Sequence, residues 1–308
     1  MHKRDTFQLP RKTSDVYPII STLPLPKIIR SHVLQNFSFC ENYTKGIIKD
    51  DDPEFLHQYR VTMRRIRAIL SLHQSLFMPK QLKESNLSIK QLMQSTNLQR
   101  DLDVYLMQME HYFYLIEHKH HQGLARFFDD LQHQRQKAYK KNKHWLKSVE
   151  YHAQCKHISL QLKRLSPRQE ALSKEPQEMI NPLLLRIDNS IITLMHSIDS
   201  KTSDTQLHRL RIKCKKLRYG LEYYRPLTEQ LSLSLNIKTL KFLQEKLGDF
   251  NDSSVQIDFL HHYLAQYKKT GRRAKAIILL LQKIQQKHLE NKQHLIVEII
   301  QYNQNTAH

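Results

Sequence analysis

Two stretches of the chain gather basic side chains at a spacing suited to holding anions. HQYRVTMRRIRAIL runs from His57 to Leu70, and HRLRIKCKKLRYGL runs from His208 to Leu221, 151 residues later. Positive charge is kept at each matched position: His57 with His208, Arg60 with Arg211, Arg64 with Lys215, Arg65 with Lys216 and Arg67 with Arg218. At about 100° per residue, a helix places His57, Arg60, Arg64 and Arg67 within an arc of roughly 80°, with Phe55, Tyr59, Met63, Ile66 and Leu70 on the opposite side. The second stretch repeats the division with Leu210, Cys214, Leu217 and Leu221 on its apolar side. Phosphate oxygens accept charge-assisted hydrogen bonds from Arg and Lys. A polymer charged on every unit therefore suits cations set at i, i+4 and i+7.

A basic helix face is ordinarily solvated and of mixed sign. Here like charges follow one another at i+3 and i+4, which is mildly unfavourable at each step. Glu222 relieves part of this in the second stretch. Val61 and Leu72, matched by Ile212 and Tyr223, lie on the far flank of the cationic arc, so each helix is expected to be covered on more than one side. Cations beside such flanks need a counter-anion, from the chain or from a ligand.

Other groups bear on the same chemistry. Lys90 and Lys241 match at the same offset and are expected to extend the two rows. Asp101 and Asp252 match as well; they are read as positioning groups for the signature Arg and His side chains rather than as metal ligands or bases. Arg100 is matched by Asn251, and Asp103 by Ser254. A metal at His57 or His208 is disfavoured by the cations around them. The cluster His111, His118, His120 and His121 offers only His118 and His121 on one face and is read as a surface feature. No metal or cofactor is expected.

Composition narrows the partners. Among 308 residues, 49 Lys and Arg face 29 Asp and Glu, a formal net charge of +20. Polyanions are the natural ligands of such a chain. Nucleic acid is an alternative, but a single-strand binder interleaves aromatics with its cations, and the two arcs offer only Tyr219. A metal-dependent phosphohydrolase would need clustered carboxylates and is the weakest alternative. Five glycines exclude a glycine-rich phosphate loop. Cys40, Cys155 and Cys214 are odd in number and far apart, which suits a reducing cytoplasm. The first residues lack the apolar run of a signal peptide, and the longest apolar block, residues 276–281, is too short to span a bilayer. A cytoplasmic protein without a membrane partner is expected.

The elements that must carry these residues are helical throughout. Residues 1–25 hold three of the ten prolines and read as an irregular leader. Apolar spacing predicts helices from Lys27 to about Gly46, from the Asp50-Asp51-Asp52-Pro53 cap to near Pro79, from Lys80 to Ser95, from Leu98 to His118 and from Gln122 to Val149. Residues 150–175 read as a connector with one short helix around His157 to Leu165. The pattern then restarts with Pro182 to Ile198, a helix capped by Asp204 and stopped by Pro226, Asn236 to Leu247, Asp252 to Tyr267, and Arg272 to Tyr302. The expectation is an all-α chain of two tandem antiparallel bundles: repeat one over about 26–150 and repeat two over about 176–303.

On these residues the chain resembles the CHAD family, the conserved histidine α-helical domain. The resemblance rests on His57-x-x-Arg60-x-x-x-Arg64-Arg65-x-Arg67 and its copy, on Arg100-Asp101, and on Leu243-Gln244-x-x-Leu247-Gly248-x-x-Asn251-Asp252, and it spans roughly residues 26–303. It implies two pseudo-symmetric bundles around a basic central cleft. It also implies binding of inorganic polyphosphate without catalysis, in the cytoplasm and alongside polyphosphate granules. The expected ligand set, from the signature residues together with the lysines matched at the offset, is His57, Arg60, Arg64, Arg65, Arg67, Lys90 and Arg100, with His208, Arg211, Lys215, Lys216, Arg218 and Lys241. Lys215 and Lys216 depart from the arginine pattern and cannot make the bidentate fork.

Overall fold

A computed structural model of the chain describes residues 9–10, 23–228, 231–266 and 270–305. Among the described residues there are helices and no strands, so the fold is all-α. In chain order the α-helices are α1 (Leu25–Lys49), α2 (Pro53–Leu72), α3 (Pro79–Gln94), α4 (Asn97–Met107), α5 (Met109–Leu115), α6 (His121–Leu146), α7 (Val149–Lys163), α8 (Pro176–His196), α9 (Asp204–Tyr223), α10 (Arg225–Thr228), α11 (Ile237–Gln266) and α12 (Arg272–Asn305). Helices α8, α9 and α12 begin 151 residues after α1, α2 and α6, respectively. Most of the leader expected over 1–25 lies outside the described residues, and Leu25 opens α1.

The helices divide into two compact units. One comprises the described residues up to Leu106 together with Leu131–Met179; the other comprises Met107–Asp130 and the described residues from Ile180 onward.

In the first unit, α1 packs along α2, and α7 packs against α1 and α3. The apolar side foreseen for α2 is its core side: Phe55, Tyr59, Met63, Ile66 and Leu70 are each at most 1% exposed. The reversal between α1 and α2 is tight. Asp50 adopts a left-handed φ of 61°, its N–H donates to the Gly46 carbonyl at 3.0 Å, and Asp52 then caps α2 by accepting from the Glu54 N–H at 2.8 Å. A non-glycine residue in that region is strained. Arg135, on α6, ties both of its terminal nitrogens to the Asp50 carboxylate and donates from Nε to Asp103 at 2.8 Å. Gly46 permits the close approach of the helices, since a Cβ there would fall 2.3 Å from the Phe55 ring.

The second unit ties its cationic helix down with different residues. Ser203 caps α9 in a reciprocal box with Gln206, and Asp204 follows as the first helical residue. Asp204 accepts from Lys292 Nζ at 2.7 Å and lies 3.4 Å from His288 Nε2, both on α12; His288 Nδ1 is 2.7 Å from Ser253 Oγ on α11. Buried Asp188 on α8 accepts from the backbone N–H groups of Ser234 and Leu235, which fixes the approach to α11. Leu210, Cys214, Leu217 and Leu221 are buried, as their spacing requires. On the far flank, Leu72 and Tyr223 are covered, whereas Ile212 is 52% exposed.

Several helix boundaries differ from the sequence expectations. The single helix expected from Leu98 to His118 is broken at Gln108 into α4 and α5, whereas the two expected over 236–267 are one continuous α11 with Gly248 inside it. The connector is largely helical. Ser148 caps α7, which buries Tyr151, Cys155, Ile158 and Leu162 on one face. Helix α8 starts at Pro176 and takes Pro182 into its interior. Asp204 does not cap α9, because Ser203 has a better-placed side chain for the Gln206 N–H. The three cysteines are buried and unbridged.

Replacing an interior helical glycine by Ala ordinarily stabilises by up to about 1 kcal/mol. Gly46→Ala is expected instead to destabilise the first unit by about 1–3 kcal/mol through overpacking on Phe55. The check is urea unfolding of the single mutant beside Gly46→Ala/Phe55→Leu, which should recover part of the loss. Arg135→Leu, leaving the Asp50 and Asp103 carboxylates unpaired, is expected to cost about 3–5 kcal/mol in the same assay.

Candidate polyanion-binding site

Helix α2 presents its cations opposite the buried stripe, and α3 and α4 bring further groups beside them. Arg60 is half-buried, and its Nη1 donates to the Met93 carbonyl at 2.9 Å, Thr96 Oγ1 at 3.0 Å and Asn97 Oδ1 at 2.7 Å. The Met93 carbonyl lies at the C-terminal end of α3, where carbonyls are left over and a cation is favoured by the helix dipole, and Thr96 and Asn97 add side-chain acceptors between that end and the first residue of α4. Arg60 thus locks α2 to the α3–α4 turn through one nitrogen. Sequence reasoning missed Thr96 and Asn97; their partners at the 151-residue offset are Leu247 and Gly248, so the repeat pointed away from them.

His57, Arg60, Arg64 and Arg100 are brought within electrostatic reach of one another. Burial lowers the pKa of His57, and Arg100, Arg64 and Arg60 lower it further against the opposing pull of Glu54. Burial likewise lowers Arg60, with Arg64 and Arg100 adding to the shift and Asp101 opposing it. Arg100 is lowered by burial and by Arg64, while Asp103, Glu54 and Asp101 favour its charge. Asp101 is raised by burial against the pull of Arg60 and Arg100. Arg64 is exposed, Arg65 and Arg67 are half-buried on the flanks, and Arg67 Nε is shielded from solvent without a hydrogen-bond partner. Lys90 is exposed on α3.

The α9 row is built differently. His208 Nδ1 lies 3.1 Å from Asn251 Oδ1, and Asn251 Nδ2 donates to Asp252 Oδ1 at 3.3 Å. Where the first unit sets the cation Arg100 beside its histidine, the second sets an amide that bonds to the ring. Asp252 therefore reaches His208 only through Asn251. Arg218 Nε stands 3.2 Å from Glu222, and its guanidinium lies 5.7 Å from the Tyr219 ring centroid. Lys216 is half-buried and lowered by burial and by Lys213, whose Nζ donates to Ser190 Oγ at 2.9 Å. Arg211 and Lys215 are half-buried, and Lys241 is exposed on α11.

Asp103, which the sequence left without a role, carries the buried half of the Arg135 network. The signal was available in negative form: Asp50, Asp103 and Arg135 are all replaced at the 151-residue offset, by Lys201, Ser254 and Gln286. An ion network is lost or kept as a set.

A family model described as the CHAD domain matches residues 34–261. The chain belongs to the CHAD family. This family is associated with polyphosphate binding. Two solved structures share the fold. The CHAD domain from the plant Ricinus communis is 21% identical with a TM-score of 0.65, covering 87% of this chain and 88% of its own. PptA from Streptomyces chartreusis is 14% identical with a TM-score of 0.64, covering 90% of this chain and 99% of its own. No curated protein matches the sequence. Among the described residues no helix is long and apolar enough to cross a membrane, and no group of three or more His, Cys, Asp or Glu side chains is placed to hold a metal ion. Within the histidine cluster of this CHAD chain, the His118 and His121 rings stand 4.9 Å apart, and His121 Nε2 lies 3.1 Å from the Ile116 carbonyl oxygen.

Because the folded protein holds His57 below its ordinary value near 6.5, the unfolded chain binds more protons there. The associated stability is present above that value and is lost as pH falls through it toward the lowered one. Arg100→Asn removes the largest coulombic contributor and is expected to raise the His57 pKa, as measured by NMR titration of its ring protons. An unmoved midpoint would show that Arg100 does not act on His57.

Proposed function

We propose that this protein is a non-catalytic binder of linear inorganic polyphosphate, held by the cationic rows of α2 and α9. The observation that carries the reading is the gathering of His57, Arg60, Arg64 and Arg100. Like charges brought together on a half-buried surface repel, and an anionic chain that bridges them relieves the repulsion while accepting charge-assisted hydrogen bonds. The family's association with polyphosphate supports the choice of polymer.

The groups divide by task. Arg64 on α2 and Lys90 on α3 are exposed in the first unit, as Lys241 on α11 is in the second, and each offers donors to a ligand. Arg60 keeps Nη1 on the α3–α4 turn and offers its remaining nitrogens from a fixed position. His57 is poised to take a proton when an anion binds, because the anion offsets the field that holds its pKa down. Asp101 and Asp252 act as positioning groups. Neither row interleaves aromatics with its cations, apart from Tyr219 beside Arg218, so base stacking adds little and polyphosphate is favoured over single-stranded RNA. The protein works in the cytoplasm, alongside polyphosphate granules.

The test is a salt titration of binding to long-chain polyphosphate beside duplex DNA and single-stranded RNA of equal charge. Polyphosphate is expected to remain bound at salt that releases both nucleic acids; loss of all three together would make the protein a general polyanion binder. Arg64→Ala should weaken polyphosphate binding and reduce the slope of log affinity against log salt by about one. It should leave the melting temperature unchanged, whereas Arg60→Ala should lower both. In wild type, affinity should strengthen as pH falls from 8 to 6, and His57→Asn should flatten that rise.

A further inference from the structure

A second site lies in the first unit, in a cavity of about 290 Å³ lined by α3, α4 and α6 residues. Gln99 and Asn142, 2% and 3% exposed, reach it from α4 and α6 and bond to each other, Asn142 Nδ2 donating to Gln99 Oε1 at 2.8 Å. The remaining atoms of this amide pair, Gln99 Nε2 and Asn142 Oδ1, make no other hydrogen bond among the described residues and are not sealed from solvent, which leaves them open to a ligand. The cavity wall adds Leu98, Ala138 and Trp145, with Lys141 beside them. The Trp145 indole is braced by Tyr151 in an edge contact at 4.8 Å.

We propose that this cavity binds a nucleotide, with its base against Trp145 and its phosphate toward Lys141. A planar base carries a donor beside an acceptor on its edge, the complement of one free amide N–H and one free amide carbonyl. Asn and Gln pair with base edges in this way wherever proteins read them. Indole faces stack bases irrespective of their identity, and a volume near the lower limit for small-molecule pockets suits a ring system rather than a long polymer. The ligand class is thus different from the polymer of the α2 and α9 rows.

Trp145 is the single tryptophan of the chain and so reports on this cavity alone. The experiment titrates the full-length protein with the four nucleosides, the matching monophosphates and inorganic triphosphate, following Trp145 emission and checking occupancy by equilibrium dialysis. At least one nucleoside should quench saturably, and its monophosphate should bind about tenfold more tightly, an advantage that Lys141→Ala removes. Ala138→Leu fills the cavity and should abolish both responses while polyphosphate binding and the melting temperature are kept. The proposal is overturned if no nucleoside binds at millimolar concentration, if inorganic triphosphate gives the same quench, or if Ala138→Leu binds as wild type does. Nucleosides are uncharged, so their binding does not depend on the cationic rows.

Discussion

Like charge held close on a surface with a buried back is the constraint that shapes this protein. Beyond the larger effect of burial, Arg100, Arg64 and Arg60 lower the proton affinity of His57, and Arg64 lowers that of Arg60 and Arg100, so the field of these cations is unfavourable. The helix tolerates it because its opposite side buries Phe55, Tyr59, Met63, Ile66 and Leu70 almost completely. Burying side chains of that size stabilises by roughly 1.5–3 kcal/mol each. An exposed like-charge pair at i,i+4 costs only a few tenths. Apolar burial therefore wins by a wide margin, and the repulsion remains available to be relieved by an anion.

Both units anchor the cationic helix at its N-terminal end, but with different chemistry. The first uses Arg135 to hold Asp50 in a left-handed turn and Asp103 behind it; the second uses Lys292 and His288 on Asp204. In each case the last long helix of the pattern reaches back to the start of the signature helix. A negative group near a helix N-terminus is favoured by the dipole, which makes this end the natural place for the anchoring carboxylate. The anchor residues can change while the anchored geometry persists.

The two rows are consequently alike in charge and unlike in surroundings. Arg100 beside His57 raises the local positive field, whereas Asn251 beside His208 accepts or donates without charge and passes the contact to Asp252. Arg60 spends one nitrogen on the α3–α4 turn, which α11 lacks because that helix runs unbroken through Gly248. A break in one unit and continuity in the other follow from short local sequence: Thr96-Asn97 offers side-chain acceptors that stop a helix and receive an arginine, and Leu247-Gly248 offers none.

The sequence by itself determined the all-α class, the cationic rows and their apolar backs, because helical periodicity writes burial directly into residue spacing. It also contained the 151-residue offset at which α1, α2 and α6 are answered by α8, α9 and α12. Only the tertiary structure decided which cations are free to meet a ligand. Arg60 is committed to Met93, Thr96 and Asn97 while Arg64 stands exposed, although both occupy the same helical arc. It also decided that Met107–Asp130 packs with the described residues from Ile180 onward, and that the expected connector is a helix of the first unit with one buried face. Such facts depend on contacts between residues distant in the chain, such as Asp50 with Arg135 or Gln99 with Asn142. No local pattern records them, since a side chain's spacing shows which way it faces but not what it meets there.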